Sequence, residues 1–545
     1  MTPIQEIITG LLCLVVYVAL RKLTLRSLRN DRCPRFAYPL KAFISLPAKA
    51  CQAGFFPFSY YYHFIQSNGQ SPRLLQKAKS FFTSTIHFSQ SFCKSNQGRG
   101  VHSAFNRLEG SKTRPGFFDF NPDFLLRLIW CPRFLMGAFI LISFAGTVSG
   151  ATINSTPAGG FWSNPSTWVG GVVPGAGDDV TIADGAIVTI DSDTPAIASL
   201  TIGQLSSGIL QYETGTERSM TVAGILTVKK GSIFRSAPSG STSNITTHSL
   251  IVGGSIVNNG TIDFSATSGT GGTTANASGT GIIFTGTKNA TFDCSSASLT
   301  NLRQTNGVIL NKGTSVNSVL SFTPGNTFQV LSDPTPGAKG FLSILNGTFN
   351  IIGSNTFSNP VFNTDGSYTI PVTGGFWLGN QNATITGMDG LVTNLGELKI
   401  TNGSYHVGIS EGNSSGMQSN GQFIMSGGSM DIHGRFDIEA GECRISGGKI
   451  NVVKGGIEDR EPDFNVAQPA SLLIYGDPLI AIEIPNSNNQ PFNDIQILEG
   501  TGSKSITGGT FLLGTADTPA GSTFYVNSDI PFYKIAVFNE CTLRI

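Results

Sequence analysis

Between Phe423 and Val453 the chain reads FIMSGGSMDIHGRFDIEAGECRISGGKINVV, and SGGSMDI returns twenty residues later as SGGKINV. Ser426, Gly427, Gly428, Met430 and Ile432 are matched by Ser446, Gly447, Gly448, Ile450 and Val452. The apolar pairs of this stretch are Phe423/Met425, Met430/Ile432, Phe436/Ile438, Cys443/Ile445 and Ile450/Val452, and their first members are 7, 6, 7 and 7 residues apart. Within each pair the spacing is that of a strand with one buried face. Three short strands in about 20 residues make one coil of a parallel β-helix, in which residue n lies over residue n+20. Met430 is then expected over Ile450 and Phe423 over Cys443. The Gly-Gly pairs mark a corner where the backbone needs a positive φ. A β-sandwich also yields short strands with turn signals, but nothing in it enforces a fixed register between successive repeats.

The same texture runs from Ala151 onward. Alternating triplets recur at Val180–Ile182, Val188–Ile190, Leu200–Ile202, Leu226–Val228 and Leu398–Ile400, and Gly, Asn or Asp punctuates them. No stretch keeps a helical period, so the expected class is all-β. A single coil cannot bury its inward residues; stacking does so, at about 25 cal/mol per Å² of apolar surface. The polar run at 266–281, ATSGTGGTTANASGTG, is expected to bulge from one corner as a loop.

A net charge of +1 conceals two opposite parts. Residues 1–135 hold 18 Lys and Arg against 5 Asp and Glu, a net of +13; the remainder holds 17 against 29, a net of −12. The acidic part is a poor match for nucleic acid. Residues 134–150 combine preceding arginines, a short apolar run and small residues, which is the layout of a secretory signal peptide placed deep in the chain. Residues 1–133 then read as an over-extended start or a leader. The rival reading takes Ile7–Leu20 as a short membrane anchor flanked by Arg21, Lys22 and Arg26; the mature part has no span. Cys294, Cys443 and Cys541 have neither disulfide-framework nor zinc spacing, and Cys443 falls at an inward position.

Three further stretches carry a family resemblance. Gly159–Gly203 reads GGFWSNPSTWVGGVVPGAGDDVTIADGAIVTIDSDTPAIASLTIG, and Gly374–Gly412 opens with a second GGFW before running into the repeat. With GSTFYVNSDIPFYKIAVFN at Gly521–Asn539, they resemble the large secreted surface proteins of bacteria that export through the type IX system. The resemblance implies a right-handed, pectin-lyase-like β-helix at the cell surface or in the medium. It implies an architecture rather than an activity. The expected organisation is a capping module at 151–203, a first β-helical part with polar loops at 204–373, and a second part at 374–545. The family's small sorting domain is not visible after ECTLRI, so the expectation is a truncated frame whose uncapped last coil invites end-to-end association.

Candidate sites are sparse. Asp178, Asp179, Asp191 and Asp193 surround one pair of strands and are weak candidates for Ca²⁺, although as turn residues they need no metal. No other cofactor is expected. Trp162 and Trp168 are candidates for sugar stacking or for a hydrophobic cap, and Trp377 for sugar stacking or for covering a joint between two β-helical segments. Asp431, Asp437, Glu442, Arg444 and Lys449 are outward charges of the repeat; Asp431 stacks on Asn451 and Glu442 on Gln422, so no acid pair arises and no catalytic residue is assigned. His406 and His433 have no partner at metal or triad spacing. The expected role is structural or adhesin-like, with polysaccharide or a neighbouring cell surface as partner. The alternative is a polysaccharide lyase or glycoside hydrolase on the same scaffold.

Overall fold

The computed structural model describes residues 150–545, apart from 242–246, 266–278, 305, 332–339, 365, 388–389, 409–415, 455–461 and 487–492. The extension at 1–133 and all but the last residue of the signal-like segment lie outside the described residues. So does most of the polar loop; its last three residues open the strand Gly279–Phe284.

The described chain is a parallel β-helix. Each full coil lays one strand on each of three walls, and every named strand pairs in parallel with a counterpart on a neighbouring coil. The first wall is unbroken from Thr152–Asn154 to Lys504–Ile506. The opening repeat takes the expected register: Phe423 pairs with Cys443, Met430 with Ile450, Gln422 with Glu442 and Asp431 with Asn451. At the corners Gly428 has φ 74° and Gly448 has φ 85°. A Cβ on Gly428 would lie 2.6 Å from the Gly403 carbonyl oxygen, so both conformation and space demand glycine.

Twenty residues is the compact coil, found also between Asp179 and Ser199. Elsewhere the register step grows, reaching 38 between Thr261 and Leu299. Insertions leave at corners, because the inward columns must stay aligned. One column runs through Leu200, Leu226, Ile256, Phe292, Phe322 and Ile351, then through Leu378, Ile400, Met425 and Ile445. All ten are fully buried, and each such side chain contributes roughly 1.5–3 kcal/mol.

The first coil is closed differently. Trp162 and Trp168 are 1% and 2% exposed, their ring centroids 4.8 Å apart and edge to face, and Trp168 Nε1 donates to the Trp162 carbonyl at 2.8 Å. The turn Pro165–Thr167 between them is held by Asn164, whose side chain accepts from Ser166 N.

A joint lies midway. The second wall begins as a seven-stranded sheet whose last strand is Phe328–Leu331, paired with Leu299–Arg303. One coil later Phe357–Asn359 occupies the equivalent position and pairs onward with Ala383–Ile385. No ladder joins Phe328–Leu331 to Phe357–Asn359. On the third wall the two ladders meet at the same level through one isolated bridge, Leu342 to Phe362. The first wall crosses the joint intact, pairing Leu320 with Phe349 and Phe349 with Phe376. An aromatic cluster fills the interior there: Phe322 lies 5.1–6.1 Å from Phe292, Phe328, Phe341, Phe349 and Phe357.

Candidate functional site

The four N-terminal aspartates serve as staples between coils. Asp178 accepts from Ala151 N at 2.7 Å and Gly175 N at 2.7 Å. Asp179 accepts from Ser199 Oγ, Asp191 from Ser163 N and Oγ, and Asp193 from Ser219 N. Among the described residues no three His, Cys, Asp or Glu side chains gather as a metal would require. The fullest carboxylate cradle belongs instead to Asp184, which sequence reasoning passed over. It accepts from the backbone N–H groups of Gln204, Leu205, Ser206 and Ser207 at 2.9–3.3 Å, and these bonds hold its carboxyl below the usual range.

Trp162 and Trp168 offer no ring face to a sugar, because both are packed inside the first coil. Trp377 stands on the outer face of the first wall, half-buried, one coil beyond the joint. Its Nε1 donates to Thr401 Oγ1 at 3.0 Å, and Lys399 Nζ lies 3.8 Å from the ring centroid. The register continues this column through Ile424, Arg444 and Leu473. Beside it runs a second column of Gly375, Glu397, Gln422, Glu442 and Ser471. Gln422 Nε2 and Arg444 both bond the Glu442 carboxylate, at 3.0 and 2.5 Å, and lower its pKa. The two columns form a half-exposed polar strip with Trp377 as its aromatic member.

Other expectations need correction. His406 has a partner, Asp431 one coil on, with Nδ1 3.3 Å from Oδ2. Asp437 is outward but is not a solvated charge: it is fully buried and sits 2.5 Å from Arg435 Nε. Lys449 is exposed as expected.

Arg435 heads a column that the repeat stretch alone did not reveal. Phe436 pairs with Phe464, Phe464 with Ile495 and Ile495 with Val526, which sets Arg435, Asp463, Asp494 and Tyr525 in line on the outer face of the third wall. Asp463 and Asp494 are fully buried. Asp494 accepts from Asn486 N through Oδ1 and from Tyr525 N through Oδ2, both at 2.6 Å, and its side chain bonds that of Asp463. Burial raises Asp494 to about 6, against the lowering effect of those bonds. A hydrogen bond between two carboxyls needs a proton on one of them, so this pair holds that proton below about pH 6. The signal was present: Asp463-Phe-Asn-Val and Asp494-Ile-Gln-Ile repeat the same pattern 31 residues apart. A search at a 20-residue period misses it.

Comparisons with family models, with curated proteins and with solved structures returned no match to this chain. Among the described residues no helix is long and apolar enough to cross a membrane.

Proposed function

We propose that the chain is a secreted or cell-surface β-helix with a structural, adhesin-like role, and that it binds polysaccharide along the outer strip of its first wall. The observation that carries this reading is the strip itself. A polymer lying along the axis meets a new coil about every 4.8 Å, and the three middle coils of the strip offer Glu397 with Lys399, Gln422 with Ile424 and Glu442 with Arg444. Trp377 gives one ring for stacking. The signal-like segment at 134–150 and the resemblance to pectin-lyase-like proteins of the type IX route support export. Binding to immobilised polysaccharides tests the reading. Trp377→Ala with Lys399→Ala should weaken retention by about tenfold, the worth of roughly 1–2 kcal/mol of stacking and cation contact. Equal retention of this variant and the parent would remove the strip from the account.

The enzyme alternative rests on Asp463 and Asp494, carboxyls one coil apart. Both are fully buried, and both oxygens of Asp494 already accept from backbone N–H groups, which turns this pair away from a substrate. Release of reducing ends from a polysaccharide, abolished by Asp494→Asn, would replace the scaffold reading with the catalytic one.

A further inference from the structure

The first residues of the fold meet a carboxylate that is already in place. Gly175 N donates to Asp178 Oδ2 at 2.7 Å, and Ala198 N of the next coil donates to the Asp178 carbonyl at 2.8 Å. Asp178 Oδ1 is thereby aimed at the start of the first strand, where it accepts from Ala151 N at 2.7 Å. Asp179 N donates to the Ala151 carbonyl at 2.9 Å, and the ladder of Thr152–Asn154 with Asp179–Thr181 begins there. Among the described residues no Lys, Arg or His pairs with Asp178. The half-buried carboxylate holds a neutral amide where a cation would bind more strongly.

Residues 134–150 have the layout of a signal peptide, whose cut follows a small residue with a compact uncharged residue two places before it. The sequence allows three such cuts: after Ala145 with Ser143, after Gly150 with Val148, and after Ala151 with Ser149. The structure separates them. A cut after Ala145 leaves residues 146–150 ahead of the ladder and no terminus at Asp178. A cut after Ala151 removes both the donor to Asp178 and the acceptor for Asp179 N. A cut after Gly150 loses neither, and it turns the nitrogen that faces Asp178 Oδ1 into an ammonium.

We propose that the bond between Gly150 and Ala151 is a processing site, hydrolysed by a signal peptidase, and that Asp178 is the counter-ion of the new N-terminus. Water's oxygen goes to the Gly150 carbonyl carbon and the C–N bond breaks. Both water protons end on the Ala151 nitrogen, which leaves a carboxylate on the departing peptide and an ammonium on the fold. The ion pair ties the first strand to the second coil at the point where a terminus would otherwise fray. The inference shares the export half of the reading above and is independent of polysaccharide binding.

The test expresses the full chain in a secreting bacterial host and reads the exported protein by N-terminal sequencing and intact mass. It should begin at Ala151; a start at Gly146, Thr152 or Met1 would overturn the proposal. Gly150→Ala is the sharper probe. A Cβ at position 150 would lie 1.7 Å from the Gly177 carbonyl oxygen, so a chain that keeps this residue is strained by the substitution. Alanine still permits the cut, so the variant should give a mature protein with the parent's mass and urea midpoint. A product heavier by one methylene with a lowered midpoint would sink the site. The counter-ion is read from acetylation of the Ala151 α-amino group near pH 7. This should run on the order of tenfold faster in Asp178→Asn than in the parent, because a carboxylate partner that holds the amine protonated by about one pKa unit slows it by that factor. Equal rates would remove Asp178 from the proposal. A chain that starts at Ala151 yet ignores polysaccharide fails the strip alone, and one that polysaccharide retains but that starts elsewhere fails the processing site alone.

Discussion

The β-helix before the joint and the β-helix after it share a first wall but solve different problems with the other two. Before the joint the interior is aromatic at its lower end: Phe234, Phe264, Phe284, Phe292 and Phe322 are all fully buried. After it the rings thin to a line, Phe376, Phe423, Phe436, Phe464 and Phe511, buried among Ile400, Ile445, Ile474, Ile480, Ile482, Ile495 and Ile497. Long coils before the joint spend their extra residues at corners. Beyond Asp437 the third wall has the acid column on its outer face, where burial has been extended past the tube itself. The comparison teaches that coil stacking constrains register and little else; volume, polarity and even ionisation vary freely along the axis if the columns stay aligned.

The largest test of that contrast is Phe322→Ala. Phe322 touches five other rings, and its truncation should cost about 3–5 kcal/mol in urea unfolding, more than Phe423→Ala after the joint, whose ring meets Phe436 alone. Comparable losses would mean that the aromatic cluster adds nothing specific at the joint. A smaller effect is expected from pH. The folded Asp494 carboxyl titrates at about 6 rather than 3.8, so the folded state binds the extra proton between those values. Its stabilising contribution is therefore complete below pH 4 and is lost as pH rises to 6, on the order of 2–3 kcal/mol. Asp463, Arg435, Asp437 and Tyr525 are the ionisable neighbours on that face, and Asp463 is the one whose side chain bonds Asp494. Asp494→Asn should flatten the pH profile, and local exchange should place the change after the joint; a flat profile in the parent would sink the shared proton. Smallest is Asp184→Ala before the joint. Its carboxyl is held low, so its contribution is present above the ordinary carboxylate pKa and lost as pH falls through the folded value. The amides of Gln204, Leu205, Ser206 and Ser207 should exchange faster in this variant with the global unfolding midpoint unchanged.

How much was legible differs between these features for physical reasons. The coil and its register could be read from Ser426–Val452 because two glycine corners at a compact spacing leave almost no freedom in what lies between them. Trp162 and Trp168 were ambiguous, since a tryptophan beside turn residues looks the same whether it caps a core or meets a sugar; only their 1% and 2% exposure separates the two. Asp463 and Asp494 were hidden by coil length, their pattern recurring at a step set by long insertions. The joint left no trace in the alternation. Phe328–Leu331 and Phe357–Asn359 each read as an ordinary strand, and the missing bonds between them belong to neither segment alone.

The single continuous ladder across the middle has a mechanical meaning. A beam of three flanges resists bending equally from every side; cut one of them and narrow a second to a short bridge at the same level, and it becomes compliant there, folding toward the flange that stays whole. Load applied to either end of this rod is then concentrated on the bonds linking Val319–Thr323, Leu342–Ile351 and Gly374–Leu378, with the short bridge from Leu342 to Phe362 sharing it.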